Sequence, residues 1–422
     1  MRILYVSHYF PPEMGAPAGR VAGLAREWAR AGHEVHVLTG FPHHPTGKIH
    51  PRYRRAFRRG FLHERMDGFE VHRTWIFPAA NRGKVRRSLN YFSFLASAAL
   101  SGSLRVPRPD VVVATSPQLL CAAAGHLLAK RFGAPLVMEV RDLWPESLVA
   151  VGATRHSSAL VSALEKLARG LYRRASHLVT ITEAQRTAIL GEGIPPQRVT
   201  VIPNGVDGEF LAHPSMRDAR AKSEFVVTYI GTLGMAHKLE TVLEASRLLR
   251  EEKSIRFRIV GEGARRAALE ARARELKLDN VEFCGEQPRG EVPRWIAESD
   301  VCLVLLRRTE VFLTVVPSKM LEIMAVGRPI ILGVEGEARM LLERARAGLA
   351  IQPESAEQLV SAILTLQANA ELAAQLGANG REFVRQEFRR EKLAARYLEV
   401  LVGVQGKRAE VEAADLCEGE NV

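Results

Sequence analysis

The stretch VTVIPNGVDGEFLAHPSMRDARAKSEFVVTYIGT, residues 199 to 232, has a short apolar run at each end and a different texture between them. VTVIPN closes one series of strands and FVVTYIGT opens another. The intervening GVDGEFLAHPSMRDARAKSEF (205–225) is polar, contains a proline and keeps no sustained period, so it reads as a linker. Upstream, RILYVS, EVHVLTG, DVVVATS, APLVMEV, HLVTIT and VTVIPN alternate with helical patterns such as 18 to 31. Downstream, FVVTYIGT, FRIVGEG, NVEFCG, DVCLVLL and RPIILGV do the same, beginning with a helix across 239 to 252. Short apolar runs separated by helices predict parallel sheets covered on both faces. The fold class is therefore α/β, with two doubly wound Rossmann-like domains at 1–204 and 226–385. QEFRREKLAARYLEVLVG (386–403) predicts a final amphipathic helix, expected to pack back on the first domain, and 404–422 is polar and acidic enough for a disordered tail. Ligands of open parallel sheets bind beyond the carboxyl ends of the strands, so two such domains facing each other are expected to enclose a cleft.

A chain of 422 residues is long enough for two ordinary cores. Its 59 Lys+Arg against 47 Asp+Glu give a net charge of +12, which favours anionic partners and leaves nucleic acid, acidic membrane and phosphate-bearing small molecules open. Cys121, Cys284, Cys302 and Cys417 are scattered, with no CxxC pair and no His at metal spacing; neither a disulfide framework nor a zinc site is suggested, and a reducing cytoplasm fits. MRILYVSHYF reads as a first strand, its apolar run too short for a signal-peptide core. SLNYFSFLASAALSGSL (88–104) falls short of the ~20 strongly apolar residues of a membrane span. It reads as a half-buried helix or as one lying on a bilayer surface.

KIHPRYRRAFRRGFLHERM (48–66) interleaves Arg52, Arg54, Arg55, Arg58 and Arg59 with Tyr53, Phe57 and Phe61. Nucleic-acid binding has this texture, and so has a solvated loop. So has a membrane-surface element, whose arginines meet anionic headgroups at about 1 kcal/mol each. Arg82, Lys84, Arg86, Arg87 and the apolar 88–104 segment follow, which favours the membrane surface over nucleic acid for the whole 48–104 region.

HYFPPEMGAPAGR (8–20) runs from the first strand into the first helix, and Gly15 lets backbone N–H groups approach an anion there. Glu13 stands beside it as a possible helix cap or site acid. FRIVGEGARR (257–266) brings Gly261 and Gly263 but places Arg266 where a dinucleotide fingerprint needs its third glycine, which argues against a dehydrogenase. The chain has no P-loop lysine motif, no GxSxG elbow and no Asp-x-Asp to hold a divalent metal. A bound diphosphate would then be met by cationic side chains and helix N-termini, with no metal. PSKMLEIMAVGRP (317–329) offers both: Lys319 in the first turn of a helix, and Glu322 at i+3 on the same face before Gly327 and Pro329 end it. Spacing alone favours an exposed Lys–Glu pair, worth about 0.5 kcal/mol.

GAPAGR, EVRDLWPES (139–147), VIPNGVD, YIGTLGMAH, FRIVGEG and PSKMLEIMAVGRP stand in the order seen in glycosyltransferase family 4, and from about 1 to 400 the chain resembles those retaining enzymes of GT-B fold. HYFPPEMGAPAGR and EVRDLWPES look most like its WbuB-type subgroup, bacterial transferases similar to the fucosamine transferase of O-antigen assembly. The resemblance implies a donor of nucleotide-sugar type, a UDP-linked N-acetylated deoxyaminosugar, and a polyprenyl-diphosphate-linked acceptor at the inner face of the cell membrane. It implies that Glu322 holds the ribose hydroxyls and that Lys319 and Lys238 face the diphosphate, with Gly15 adding N–H groups. Gly231, Thr232, Gly261 and the FCGEQP turn (283–288) would surround the nucleotide, and no separate cofactor is needed. The sequence departs from the family pattern at three places: Thr314, with Glu310 near it, replaces the first of two paired glutamates; Thr232 replaces an arginine; Arg141, followed by Asp142, replaces a histidine at the reaction centre. Arg141 and Asp142 are candidates for positioning the acceptor or the donor sugar. Other readings are a nucleotide-sugar epimerase of the same fold and a catalytically silent nucleotide-sugar binder.

Overall fold

A computed structural model describes residues 1–13, 15–80, 84–116, 118–143, 159–213 and 224–419. These residues form two compact units, Met1–Asn204 together with the chain from Arg390 onward, and Gly205–Arg389. The first unit holds an eight-stranded sheet of β1 (Arg2–Val6), β2 (Glu34–Gly40), β3 (Phe61–Met66), β4 (Phe69–Thr74), β5 (Val111–Ser116), β6 (Leu136–Val140), β7 (His177–Thr180) and β8 (Val199–Val201). The strand order is β3-β4-β2-β1-β5-β6-β7-β8. Every pair is parallel except the β3–β4 hairpin. β5 and β6 are buried along their whole length, which is why they read as unbroken apolar runs. β3 is an edge strand whose residues alternate outward, so part of the basic 48–66 stretch is sheet, and its charges blunt an exposed edge.

The helix Arg390–Gly419 belongs to the first unit and packs on the helix Ala16–Arg30. Trp28 meets Tyr397 edge to face at 5.2 Å and donates its Nε1–H to the Ala394 carbonyl at 3.1 Å. The helix runs past residue 404, where the sequence reading expects a disordered tail. Ala, Glu, Lys and Arg in that stretch are strong helix formers, and an anchored helix propagates through them without a new nucleus.

The second unit holds β9 (Phe225–Ile230), β10 (Ile255–Val260), β11 (Val281–Gly285), β12 (Val301–Leu305), β13 (Ile330–Gly333) and β14 (Gly348–Ala350), all parallel, in the order β11-β10-β9-β12-β13-β14. Part of the stretch read as a linker is core: Val206 and Phe210 are buried in this unit, Phe210 on a short helix, Gly208–Ala212. One helical turn gives too few apolar positions to register as a period, which is why the sequence hid it; residues 214–223 of the same stretch lie outside the described residues. The unit extends beyond the expected end at 385 to Arg389, because the helix Ala370–Glu387 carries Val384 and Phe388 follows into its core.

Candidate active site

In the second unit the polar groups gather where β9 to β12 end. The helix Ser318–Val326 buries Met320, Leu321, Ile323, Met324, Ala325 and Val326 and ends on Gly327 in the left-handed region, leaving Lys319 and Glu322 on its remaining face. The Lys319 Nζ is buried, has no hydrogen-bond partner and stands 4.0 Å from the centroid of the Tyr229 ring. Burial pulls its pKa down to about 7, against the opposing attraction of Glu322. The Tyr229 hydroxyl donates to the Thr232 carbonyl at 2.9 Å, closing the turn that carries Gly231 and Thr232. A Cβ at Gly231 would stand 2.7 Å from the Lys319 Nζ, and one at Gly261 would stand 1.9 Å from the Gly231 carbonyl oxygen. With φ of 138° and 141°, both positions need glycine twice over, for conformation and for close approach.

The loop after Gly231 turns His237, rather than Lys238, toward Lys319. The His237 Nδ1 lies 3.2 Å from the Leu305 carbonyl and its ring meets Tyr229 edge-on at 5.8 Å. Burial and the nearby Lys319 lower its pKa to about 4, so it is neutral, donates from Nδ1 and keeps a lone pair on Nε2. Lys238, left-handed at φ 45°, lines a cavity of about 170 Å³ with Glu240, Arg265 and Arg307. Glu322 accepts a hydrogen bond from Arg289 Nη2 at 2.7 Å. Thr314 closes a 3-10 turn, Glu310–Thr314, its hydroxyl donating to the Val311 carbonyl at 3.2 Å, while Glu310 is exposed. Neither His237 nor Arg289 was singled out in the sequence.

In the first unit a buried polar group lies at the carboxyl ends of the central strands. Glu139, on β6, accepts from Arg20 Nε at 2.9 Å, from Thr115 Oγ1 at 3.0 Å and from the Tyr5 hydroxyl at 3.2 Å. Burial alone would raise its pKa; Arg20 and Arg141 hold it below the ordinary value instead. Arg20 comes from the GAPAGR motif and Glu139 opens EVRDLWPES, so two motifs far apart in sequence are one ion pair in space. Arg141, the next residue after β6, is buried with Nε and Nη1 unpartnered, and burial lowers its pKa. Asp142 beside it has its pKa raised by burial, with Arg141 opposing. Residues 144–147 of the same motif lie outside the described residues.

Gly15 is exposed at the N-cap of the Ala16–Arg30 helix. Glu13 is not that helix's cap: its Oε1 accepts from the backbone N–H groups of His43 and His44 at 2.8 and 2.9 Å, tying the loop after β1 to the loop after β2. A buried chain continues from there. His43 Nδ1 donates to the Phe41 carbonyl at 2.9 Å, so its Nε2 accepts from Asn90 Nδ2 at 2.9 Å, and Asn90 Oδ1 accepts from His8 Nε2 at 3.0 Å. Burial and His43 drive the His8 pKa to about 3, and its Nδ1 is buried without a partner.

The helix Lys84–Arg105, which supplies Asn90, turns Val85, Leu89, Phe92, Leu100 and Leu104 to solvent. Arg54, Arg55, Arg58 and Arg59 are exposed, whereas Tyr53 is buried and Phe57 packs on the core, so these aromatics are not offered to nucleic-acid bases. Among the described residues no helix is long and apolar enough to cross a membrane, and no three His, Cys, Asp or Glu side chains are grouped to hold a metal ion.

Two mostly parallel Rossmann-like sheets are the GT-B architecture, and known structures carry it. Sucrose-phosphate synthase from Thermosynechococcus elongatus superposes with a TM-score of 0.75 at 19% identity, covering 96% of this chain and 99% of its own. HepE from Anabaena in complex with UDP-glucose gives a TM-score of 0.69 at 16% identity, covering 96% and 100%. Residues 15–205 match the family model described as a glycosyl transferase 4-like domain, and residues 215–383 the one described as glycosyl transferases group 1. The chain joins a glycosyl transferase 4-like domain to a glycosyl transferases group 1 domain and is a glycosyltransferase of GT-B fold. Among its relatives is the glycosyl transferase WcaI of Escherichia coli strain K12, named for colanic acid biosynthesis, 28% identical over 381 residues that make up 86% of this chain and 91% of WcaI.

Proposed function

We propose that this enzyme moves a sugar from a nucleoside diphosphate donor, a UDP-linked N-acetylated deoxyaminosugar, onto a polyprenyl-diphosphate-linked saccharide in bacterial surface polysaccharide assembly. The observation that carries the reading is the Lys319 amine, buried and unpartnered. A buried ammonium without a hydrogen-bond partner is unfavourable unless a ligand supplies one. A diphosphate does so, with the backbone of the Gly231–Thr232 and Gly261 turns beside it, and Glu322 takes the ribose; Lys238, which lines the neighbouring cavity with Arg265 and Arg307, does not share that contact with Lys319. Gly15, at a helix N-terminus, is a further candidate for anion contact. The relatives support the reading: HepE binds UDP-glucose, and WcaI is named for an exopolysaccharide.

The sugar leaves with retention of configuration, by front-face substitution in which the departing phosphate accepts the acceptor's proton. Lys319 stabilises the charge that grows on that phosphate, so the reaction proceeds without a divalent metal. Arg141 and Asp142 position the acceptor or the donor sugar. The acceptor's lipid tail accounts for the outward face of the Lys84–Arg105 helix: apolar side chains enter the bilayer surface and arginines meet anionic headgroups, holding the protein at the cytoplasmic face of the membrane.

Thermal-shift titration with UDP-, GDP- and dTDP-sugars tests the donor half, since a ligand that binds the folded state raises its melting temperature. Selective stabilisation by UDP-sugars is expected, and no response to any of the three classes would overturn the reading. Donor incubated without acceptor separates the alternatives: an isomerised nucleotide sugar would indicate an epimerase, and binding without nucleotide release across lipid acceptors would indicate a silent binder.

A further inference from the structure

Glu322 has a neighbour that no motif names. Arg289 starts the 3-10 turn Arg289–Glu291, just beyond the FCGEQP segment in which β11 ends, and its Nη2 donates to Glu322 Oε1 at 2.7 Å. The guanidinium carbon lies 4.6 Å from the centroid of the Phe210 ring, and Phe210 is fully buried. Three segments distant in sequence thus meet around one guanidinium. The ring face limits how far the planar guanidinium can swing, so little freedom is left to lose when it binds its acid. The Glu322 side chain is only 15% exposed, a position where a lone carboxylate would be poorly solvated.

The form of the contact matters. It joins one N–H to one oxygen, so Oε1 is held while Oε2 keeps its accepting capacity. The pair is also close to neutral. Without Arg289, a bare carboxylate would stand on the helix face that carries Lys319, where it would repel an incoming diphosphate.

We propose that Arg289 is a positioning residue for donor recognition: it fixes the Glu322 carboxylate so that the second oxygen receives the ribose hydroxyls, and it cancels charge that would otherwise oppose the diphosphate. This rests on the ribose role of Glu322 given above. Because Arg289 acts through Glu322, its loss is felt in how tightly, and how selectively, the nucleotide is held, and hardly at all in the bond-making step.

Calorimetric titration of UDP and 2′-deoxy-UDP into the full chain and into R289M, R289K, E322Q and R289M/E322Q tests it. The unaltered protein is expected to prefer UDP by about tenfold or more, and E322Q to lose that preference. R289M should weaken UDP binding about tenfold and narrow the preference, R289K should recover part of both, and the double variant should discriminate no worse than E322Q alone. In turnover assays R289M should raise the donor KM with kcat nearly unchanged. If R289M unfolds at a lower temperature, R289K, which keeps the cation, carries the comparison. An unchanged preference in R289M, with E322Q impaired, would overturn the positioning role and leave the ribose role standing. No preference in the unaltered protein, and none lost in E322Q, would overturn both.

Discussion

At Lys319 the needs of the fold and of the ligand oppose each other. Its pKa in the folded chain is about 7 against an ordinary 10.5, so between those values the unfolded chain binds more protons and the free protein gains stability as pH rises. Lys319→Met is expected to stabilise the ligand-free protein by about 1–3 kcal/mol at pH 7 or below, the cost of an unpaired buried polar group, while reducing UDP affinity at least tenfold. Urea melts paired with titrations check both halves, and a destabilised variant would mean that the amine has a partner after all. The cation itself is present below about pH 7 and lost above it, so UDP affinity should fall between pH 7 and 9 in the unaltered protein and stay level in Lys319→Arg. A different outcome is expected at Arg20, whose replacement by Met strands the buried Glu139 carboxylate; a loss of about 3–5 kcal/mol in urea unfolding is expected, and one below about 1 kcal/mol would show that Arg141 takes over. Lys319 and Glu322 stand out in PSKMLEIMAVGRP through its resemblance to a family motif, since i and i+3 spacing on a helix favours an exposed ion pair when taken alone. His237, Arg289 and the His8–Asn90–His43 chain could not: Arg289 is 33 positions from Glu322, and Asn90 is 82 from His8, so only the closed fold makes them neighbours.

The Lys84–Arg105 helix separates what its composition averages. Ser93, Ser97 and Ser101, which dilute its hydrophobicity in the sequence, form one stripe turned toward the end of β4: Ser93 accepts from the Phe77 N–H at 2.8 Å, Ser97 donates to the Trp75 carbonyl, and Ser101 accepts from Thr74 at 3.1 Å. Its outward stripe is therefore more apolar than any window mean suggests. Replacing Leu89 and Phe92 together by Ser is expected to weaken binding to vesicles containing anionic lipid by about tenfold or more, at roughly 25 cal/mol per Å² of apolar surface withdrawn. Both side chains are exposed, so the melting temperature should hardly move; vesicle sedimentation alongside a thermal melt checks this, and undiminished binding would remove the helix from the membrane surface. β3 escaped the sequence reading for a related reason: its outward positions, His63 and Arg65, are polar, and an edge strand half made of polar residues looks like a solvated loop.

Across the whole molecule the alternation of strands and helices made the two sheets legible, and the last helix, expected on the first domain although no periodicity encodes its partner, lies with the first unit. Leu393, Ala394, Tyr397 and Leu401 share a core with Val21, Leu24 and Trp28. A fragment of residues 205–389 is expected to fold alone, since its core is contiguous in sequence, whereas 1–204 should not until a peptide of residues 390–419 is added; circular dichroism and proteolysis check both fragments, and a stably folded 1–204 would contradict the assignment. Transfer activity is expected to survive excess chelator if Lys319 meets the diphosphate as proposed; loss of activity restored by magnesium would refute that. The joint between the units has a temporal consequence. Val206 pairs in parallel with Arg389, so the chain departs from the first unit and rejoins it at adjacent points. On the ribosome, the earliest-made half then waits through the manufacture of an entire inserted body before its last wall arrives. A message cut short near its end would leave the later half sound and the earlier half open to proteases, the reverse of the usual order in which amino-terminal domains finish first.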